Sequence, residues 1–167
     1  AFARSPANLA YTAWDLAQVS SGRFILGLGT QVKAHIERRF GMPWPESVVG
    51  KLKEQIGAIR ALWNTWQNNM PLNFQGNYYR LSLMSPFFNP GPISHPEIPI
   101  YIAGVTTGLA RLAGECADGF LVHPFHTPDY LKEVLLPAIQ GGQKKAQRSP
   151  QDTAISLTAF VVTSPEE

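Results

Sequence analysis

The sequence has 167 residues, the length of one ordinary domain, and 44% of them are apolar, which is enough for a folded core and too much for a disordered chain. Charged residues make up 16% and the formal net charge is +2, so nothing in the composition favours binding to nucleic acid or to a membrane surface. No apolar run approaches the ~20 residues of a membrane span.

The single cysteine, Cys116, excludes an internal disulfide and gives no sign of an oxidising compartment. It falls on the apolar face of a predicted helix, where an inert buried thiol is the usual outcome. The sequence also lacks a signal-peptide pattern. We therefore expect a cytoplasmic protein.

In the first part of the chain, the apolar spacing predicts a strand end at Ala1–Arg4, a helix from Pro6 to about Ser20, a strand at Phe24–Gly29 and a long helix from about Val48 to Trp66. Ser5 followed by Pro6 is a typical helix start. The nearly unbroken apolar run at Phe24–Gly29 is typical of a strand covered on both faces. Residues 32–46 are polar and irregular.

In the second part, the same criteria predict a strand at Ile98–Ala103, a helix after Gly108, a strand at Phe120–Val122, a helix from Thr127 to about Gln140, a last strand at Ala154–Val162 and the start of another helix at Pro165–Glu167. Pro137 should kink the helix predicted from Thr127 to about Gln140, because proline donates no backbone hydrogen bond.

Between the two parts lies an aromatic insertion rich in Pro, Asn and Gly, at about residues 67–97. Gln75-Gly76-Asn77 could close a short hairpin between Leu72–Phe74 and Tyr78–Leu81. Connections of this length in an α/β unit are more often functional than filler. Outside this insertion, strands and helices alternate along the chain. Such repeated βα units predict an α/β fold with parallel strands, either a doubly wound open sheet or part of a (β/α)8 barrel.

The connection Gly104–Gly108 is the first candidate site. It joins a strand to a helix, and free N–H groups at the start of a helix suit an anion such as a cofactor phosphate. The alternative is a plain turn in which Thr107 caps the helix. Neither the dinucleotide fingerprint nor the P-loop spacing is present, so these two classes of nucleotide site are not supported.

Two further candidates follow other strands. Gly29 ends the Phe24–Gly29 strand, and Thr30 and Gln31 follow it. The glycine could let a flat ring approach the backbone, or could simply fill a tight interior. His123 follows Phe120–Val122 and could hydrogen-bond or transfer a proton, or be an ordinary loop histidine. His123 and His126 have no third ligand at metal spacing, so we predict no metal site.

Taken in order, several segments resemble the luciferase-like monooxygenase superfamily, and most of all its branch of oxidoreductases that use the deazaflavin coenzyme F420. These segments are SGRFILGLGTQ, ERRFGMPW, IRALW, NFQGNYYRL, PIYIAGVTTGLARLAGECADGFLVHPF and LPAI. The resemblance extends over nearly the whole chain, but over only part of a family member.

The resemblance implies one incomplete (β/α)8 barrel domain, spanning residues 1–167 and about the third to the seventh strand. It also implies cofactor contacts, with the phosphate held after the fifth strand and the ring lined by the end of the fourth. Carried onto this sequence, the implied cofactor-binding residues are Gly29, Thr30, Gln31, Ala103, Gly104, Val105, Thr106, Thr107 and Gly108. His123 would face the same mouth of the barrel.

The implied function is hydride transfer between coenzyme F420 and a small organic substrate, which the aromatic insertion suggests is apolar. Two alternatives stay open: an FMN-dependent monooxygenase that uses oxygen and a partner reductase, and a truncated barrel without activity of its own. The resemblance leaves a homodimer of the full-length protein open, and it implies neither a nucleic-acid partner nor a membrane.

Overall fold

The computed structural model describes residues 2–161 and 163. The chain divides into two compact units, Ala1–Tyr101 and Ile102–Glu167. Within the described residues, no helix is both long and apolar enough to cross a membrane.

Two long helices, α1 (Pro6–Val19) and α3 (Val48–Asn68), form the framework of the first unit. Each begins at a serine whose hydroxyl accepts a hydrogen bond from an N–H of the first turn: Ser5 Oγ from Asn8 at 3.2 Å, and Ser47 Oγ from Gly50 at 3.0 Å. Such caps satisfy N–H groups that a helix leaves without internal partners. The predicted start at Ser5–Pro6 is confirmed.

Tryptophans hold α1 and α3 together. Trp14 of α1 meets Trp66 of α3 edge to face, with ring centroids 5.5 Å apart, and both rings are fully buried. The indole N–H of Trp63 donates to the carbonyl of Ala10 at 3.1 Å. Burying indoles in this way removes large apolar areas from water, and hydrogen bonding of a buried indole N–H avoids a desolvation cost.

Strand β1 (Leu26–Gly29) follows α1. Leu26 and Leu28 are buried, but Gly27 and Ile25 are exposed, so the prediction of a strand covered on both faces is wrong for the described residues. A short helix, α2 (Lys33–Arg38), occupies part of the stretch predicted to be irregular. It was missed because only Ile36 is buried, and a single apolar position has no helical period.

The aromatic insertion contains a hairpin where one was predicted, with β2 (Phe74–Gln75) antiparallel to β3 (Arg80–Leu81). The predicted turn at Gln75–Asn77 is misplaced, since Gln75 pairs with Arg80 and the connection is residues 76–79. A 3-10 turn at Pro86–Phe88 follows. Two residues of α1 fasten this later part: the phenol of Tyr11 donates to the Phe88 carbonyl at 2.5 Å, and the indole of Trp14 donates to the Gly91 carbonyl at 3.1 Å. The insertion is therefore tied to the helical framework.

Glu54 of α3 holds the turn of the hairpin. Its carboxylate accepts hydrogen bonds from the backbone N–H groups of Asn77 at 3.0 Å, Tyr78 at 2.7 Å and Tyr79 at 3.3 Å. The Tyr78 phenol oxygen accepts a further bond from the N–H of Ser47 at 3.0 Å. Burial, together with the negative charge of Glu54, raises the pKa of Tyr79 to about 12.

The second unit repeats strand and helix. After β4 (Ile100–Gly104), which begins in the first unit, come α4 (Thr107–Cys116), β5 (Gly119–Val122), α5 (Pro128–Tyr130), α6 (Leu136–Lys145) and β6 (Ala154–Leu157). The strand order is β4-β5-β6. Strands β5 and β6 pair in parallel, from Gly119 opposite Ala154 to Val122 opposite Leu157.

Glycines bring the backbones of α4 and α6 into contact. A Cβ on Gly114 would overlap the carbonyl oxygen of Ile139, and a Cβ on Gly142 would overlap that of Arg111. Because the atoms in the way are backbone atoms, neither helix can relieve the overlap by turning a side chain. The two glycines therefore set the distance between these helices.

Arg148 closes the C-terminal end of α4. Its Nη1 donates to the carbonyl oxygens of Ala113, Gly114 and Ala117 at 3.3, 3.0 and 2.8 Å, and its Nη2 donates to that of Asp152 at 2.7 Å. A helix leaves its last carbonyls unpaired, and a cation there is favourable. The guanidinium thus fixes the point from which the chain enters β5.

The helix predicted from Thr127 to about Gln140 changes before Pro137 to a wide, π-helical turn at Leu131–Leu135, between α5 and α6. Pro137 has no N–H to donate to the preceding turn, which favours a local change in the hydrogen-bonding ladder. The predicted cap at Thr127 is confirmed, since its hydroxyl accepts from the N–H of Tyr130 at 3.1 Å.

Three other predictions need correction or fall outside the description. Residues 2–4 form a turn and not a strand end, with Phe2 buried against Trp44. Cys116 is half-buried, at the C-terminal end of α4, because the helix ends there. The last strand stops at Leu157; Val162 and the helix start predicted at Pro165–Glu167 lie outside the described residues.

Candidate functional site

The connection between β4 and α4 is two residues long. Ala103 and Gly104 complete the strand, Val105 and Thr106 form the connection, and Thr107 begins the helix, with Gly108 in its first turn. The predicted loop is therefore mostly strand end and helix start. All the predicted phosphate-binding residues nevertheless lie at one strand-to-helix junction.

Thr106 caps α4, and the alternative prediction of Thr107 as the cap is wrong. The Thr106 hydroxyl accepts from the N–H of Leu109 at 3.4 Å, and its carbonyl accepts from Ala110 at 3.0 Å. An N-cap residue has extended dihedrals, and Thr106 has φ −105° and ψ 151°, whereas Thr107 is already helical. Sequence alone could not choose between two adjacent threonines.

Gly104 is required by a close approach inside this junction. A Cβ on Gly104 would lie 2.6 Å from Cδ1 and 2.7 Å from Cβ of Leu109, whose side chain is buried. Leu109 is in the first turn of α4, so any side chain at Gly104 would displace the start of this helix. The glycine lets the strand end sit directly against the helix.

The start of α4 presents unused hydrogen-bond donors. Within the described part of the chain, the backbone N–H groups of Thr106, Thr107 and Gly108 have no hydrogen-bond partner. Thr106 and Thr107 are exposed and Gly108 is half-buried. Free N–H groups and the positive end of the helix dipole together suit an anion such as phosphate. The residues present thus fit the predicted role.

In the first unit, the end of β1 has an unusual backbone. Gln31 has φ +62°, the left-handed region that is uncommon for residues with a side chain, and the Thr30 hydroxyl donates to the Gln31 carbonyl at 3.1 Å. A Cβ built on Gly29 meets none of the described atoms within 4 Å. Strained residues cluster at functional sites, and an open face at glycine leaves room for a flat ring.

His123 lies directly after β5 and is exposed. Its Nδ1 accepts from the N–H of Phe125 at 3.2 Å, and the carbonyl of His123 accepts from Nδ1 of His126 at 2.7 Å. Neutral His123 therefore carries its proton on Nε2, which is the nitrogen available to a ligand. Among the described residues, no group of three or more His, Cys, Asp or Glu side chains could hold a metal ion.

Two aromatic features of the second unit were missed from the sequence. The rings of His123 and Phe125 stack with centroids 5.7 Å apart, and Phe125 meets Phe160 at 5.3 Å. In addition, the phenol of Tyr130 donates to the carbonyl of Val105 at 3.2 Å. The contacts of Phe125 with Phe160 and of Tyr130 with Val105 join distant positions, for which the sequence offers no periodic signal.

Comparison with known proteins agrees with this picture. The family model for luciferase-like monooxygenases matches residues 1–167. An uncharacterized protein of Mycobacterium tuberculosis is 40% identical over 167 residues, covering 100% of this chain and 49% of the relative. An F420-dependent glucose-6-phosphate dehydrogenase of Nakamurella multipartita is 32% identical over 145 residues, covering 86% of this chain and 40% of the relative.

A solved structure of an F420-dependent secondary alcohol dehydrogenase, in complex with an F420-acetone adduct, is similar at a TM-score of 0.77 and 25% identity, and covers 91% of this chain and 44% of that chain. The chain thus spans about half the length of these relatives. The likeness confirms the predicted α/β fold with a parallel sheet, as part of a (β/α)8 barrel. On this match, the chain belongs to the luciferase-like monooxygenase family.

Proposed function

We propose that the protein is an oxidoreductase that binds coenzyme F420, and that the start of α4 holds the phosphate of this cofactor. The observation that carries the proposal is the set of free N–H groups at Thr106, Thr107 and Gly108, in a chain related to F420-dependent dehydrogenases. When bound, the deazaflavin ring accepts or donates a hydride.

The chain's own residues would bind and orient the cofactor. Ala103 and Gly104 bring the strand end against α4, Val105 leads into the helix, and Thr106, Thr107 and Gly108 would supply backbone donors to the phosphate. Taken by itself, the first unit offers Gly29, Thr30 and Gln31 as proposed contacts to a flat ring, supported by the open face at Gly29 and the left-handed backbone of Gln31. His123 is a candidate hydrogen-bond donor through Nε2.

The proposed substrate is small and apolar. In the first unit, the insertion exposes Leu83, Phe87 and Phe88 at 86%, 89% and 61% of their surface. In the second, Phe125 is exposed at 82% beside His123. Exposed apolar groups of this kind favour apolar ligands when they lie near a binding site.

The cofactor assignment is tested by titrating recombinant protein containing the entire chain with F420 and, separately, with FMN. Fluorescence and the change in melting temperature report binding, because a ligand that binds only the folded state stabilises it. We expect F420 to bind and FMN to bind much more weakly. Binding of FMN alone would overturn the assignment and favour the monooxygenase alternative.

A pair of variants tests the phosphate site. Thr107→Pro removes one free N–H, and proline suits this first helical position because the preceding Thr106 is already extended. Thr107→Ala keeps the N–H and removes only the hydroxyl. We expect the proline variant to lose about tenfold in F420 affinity, as for one charge-assisted hydrogen bond, and the alanine variant to bind nearly as wild type. Equal affinities for both variants would argue against backbone recognition of phosphate.

A further inference from the structure

Tyr130 connects two segments that are 25 positions apart in the second unit. It is the last residue of α5, directly before the π-helical turn, and its backbone N–H is held by the Thr127 cap. From this fixed position, its phenol donates to the carbonyl of Val105 at 3.2 Å. The side chain is 38% exposed, so the bond lies near the surface beside the β4–α4 connection.

The bond controls a peptide unit next to the free donors. Among residues 2–161 and 163, the Val105 carbonyl has no hydrogen-bond donor other than Tyr130. The peptide between Val105 and Thr106 is trans and planar, so its C=O and N–H point in opposite directions. Holding the carbonyl toward Tyr130 therefore directs the N–H of Thr106 away from it.

The orientation of this peptide matters for an anion. If it rotated, the Val105 carbonyl, which carries partial negative charge, could face the ligand in place of the Thr106 N–H. A two-residue connection with an exposed valine has little packing of its own to resist such a rotation. The Tyr130 phenol supplies the missing restraint from a neighbouring element.

We propose that Tyr130 is a positioning residue for the cofactor phosphate: it orients the Val105–Thr106 peptide so that the Thr106 N–H is available to the anion. The inference rests on the proposed function, because it takes the phosphate site at α4 as given. Tyr130 itself need not touch the cofactor. Replacing Tyr130 should consequently weaken the binding of the cofactor phosphate and not that of the deazaflavin ring.

The test compares affinities for F420 and for the same deazaflavin with its ribityl chain but without phosphate, both followed by fluorescence. The variant is Tyr130→Phe, which keeps the ring and removes the donor. The matched control is Tyr11→Phe, which removes another phenol that donates to a backbone carbonyl, that of Phe88 in the first unit. Melting temperatures of both variants establish that they fold.

We expect Tyr130→Phe to weaken F420 binding about five- to tenfold, equivalent to about 1–1.4 kcal/mol, and to leave the affinity for the phosphate-free compound unchanged. The control should change neither affinity. An equal loss for both compounds in Tyr130→Phe, or no loss for either, would overturn the positioning role while leaving the phosphate site intact. If the wild-type protein bound both compounds equally, the phosphate site itself would be wrong, and the positioning role with it.

Discussion

The carboxylate of Glu54 organises the aromatic insertion, so removing it should loosen the hairpin. Three backbone N–H groups, those of Asn77, Tyr78 and Tyr79, donate to its two oxygens. Glu54→Ala leaves all three without this acceptor. Glu54→Gln keeps one carbonyl oxygen but removes the charge and replaces the second oxygen by a donor, which faces N–H groups unfavourably.

Hydrogen bonds to a charged group contribute about 1.5–3 kcal/mol each. Here Asn77 is exposed and the two tyrosine N–H groups are only partly buried, so water competes for every bond. We therefore expect the alanine variant to lose about 2–3 kcal/mol of unfolding free energy in total, and the glutamine variant about 1–2 kcal/mol. At this chain length, the alanine variant should melt about 4–12 °C lower.

Thermal and urea unfolding of both variants measure this loss, with Glu46→Gln as the control, since Glu46 is exposed just before α3. A second readout is the tyrosinate absorbance as a function of pH. Glu54→Gln removes one of the two causes that raise the pKa of Tyr79, so that pKa should move from about 12 toward 10.0, with burial retaining part of the shift. Wild-type melting in Glu54→Ala, or an unchanged tyrosine titration, would refute the reasoning.

Further predictions concern the second unit and the pH dependence. In urea unfolding, Gly114→Ala should destabilise the protein by more than about 2 kcal/mol, because the new Cβ would overlap the backbone of α6. Gly141→Ala is the contrasting variant: its Cβ would have none of the described atoms within 4 Å, so it should stabilise the protein by about 0.5–1 kcal/mol. Arg148→Lys should lower the unfolding free energy by about 1–2 kcal/mol, since one ammonium cannot reach all the carbonyls that the guanidinium binds. A urea midpoint that changes by less than a tenth of the wild-type value would contradict this. Tyr79 keeps its proton up to about pH 12 when folded and loses it near pH 10.0 when unfolded. Its contribution to stability should therefore be constant below pH 10 and fall between these values, more steeply in wild type than in Glu54→Gln.

The order of the elements could be predicted from the sequence because it depends on local signals. The apolar period of α1 and α3, the serine and threonine caps at Ser5 and Thr127, and the apolar strand runs all act over a few residues. Because strands and helices alternate along the chain, these local signals also predict that the strands of the sheet are parallel. Segment order also carried the family resemblance, which the match over residues 1–167 confirms.

Local signals were insufficient where two adjacent residues competed or where burial was decided elsewhere. Thr106 and not Thr107 caps α4, because the position of the buried Leu109 against Gly104 fixes where the first turn begins. The predicted two-sided burial of β1 was wrong because strand burial depends on what packs on each face, and an apolar run cannot specify that. The short α2 escaped detection with only Ile36 buried.

The candidate site shows the same division. The sequence by itself determined that Gly29–Gln31, Ala103–Gly108 and His123 lie at strand ends or directly after them, which is where ligands of parallel sheets bind. Only the tertiary structure decided which donors at α4 are free, that Tyr130 holds the Val105 carbonyl, and that Glu54 holds the hairpin 23 to 25 positions away. Hydrogen bonds between distant side chain and backbone leave no pattern in a sequence, because any residue can supply the backbone partner.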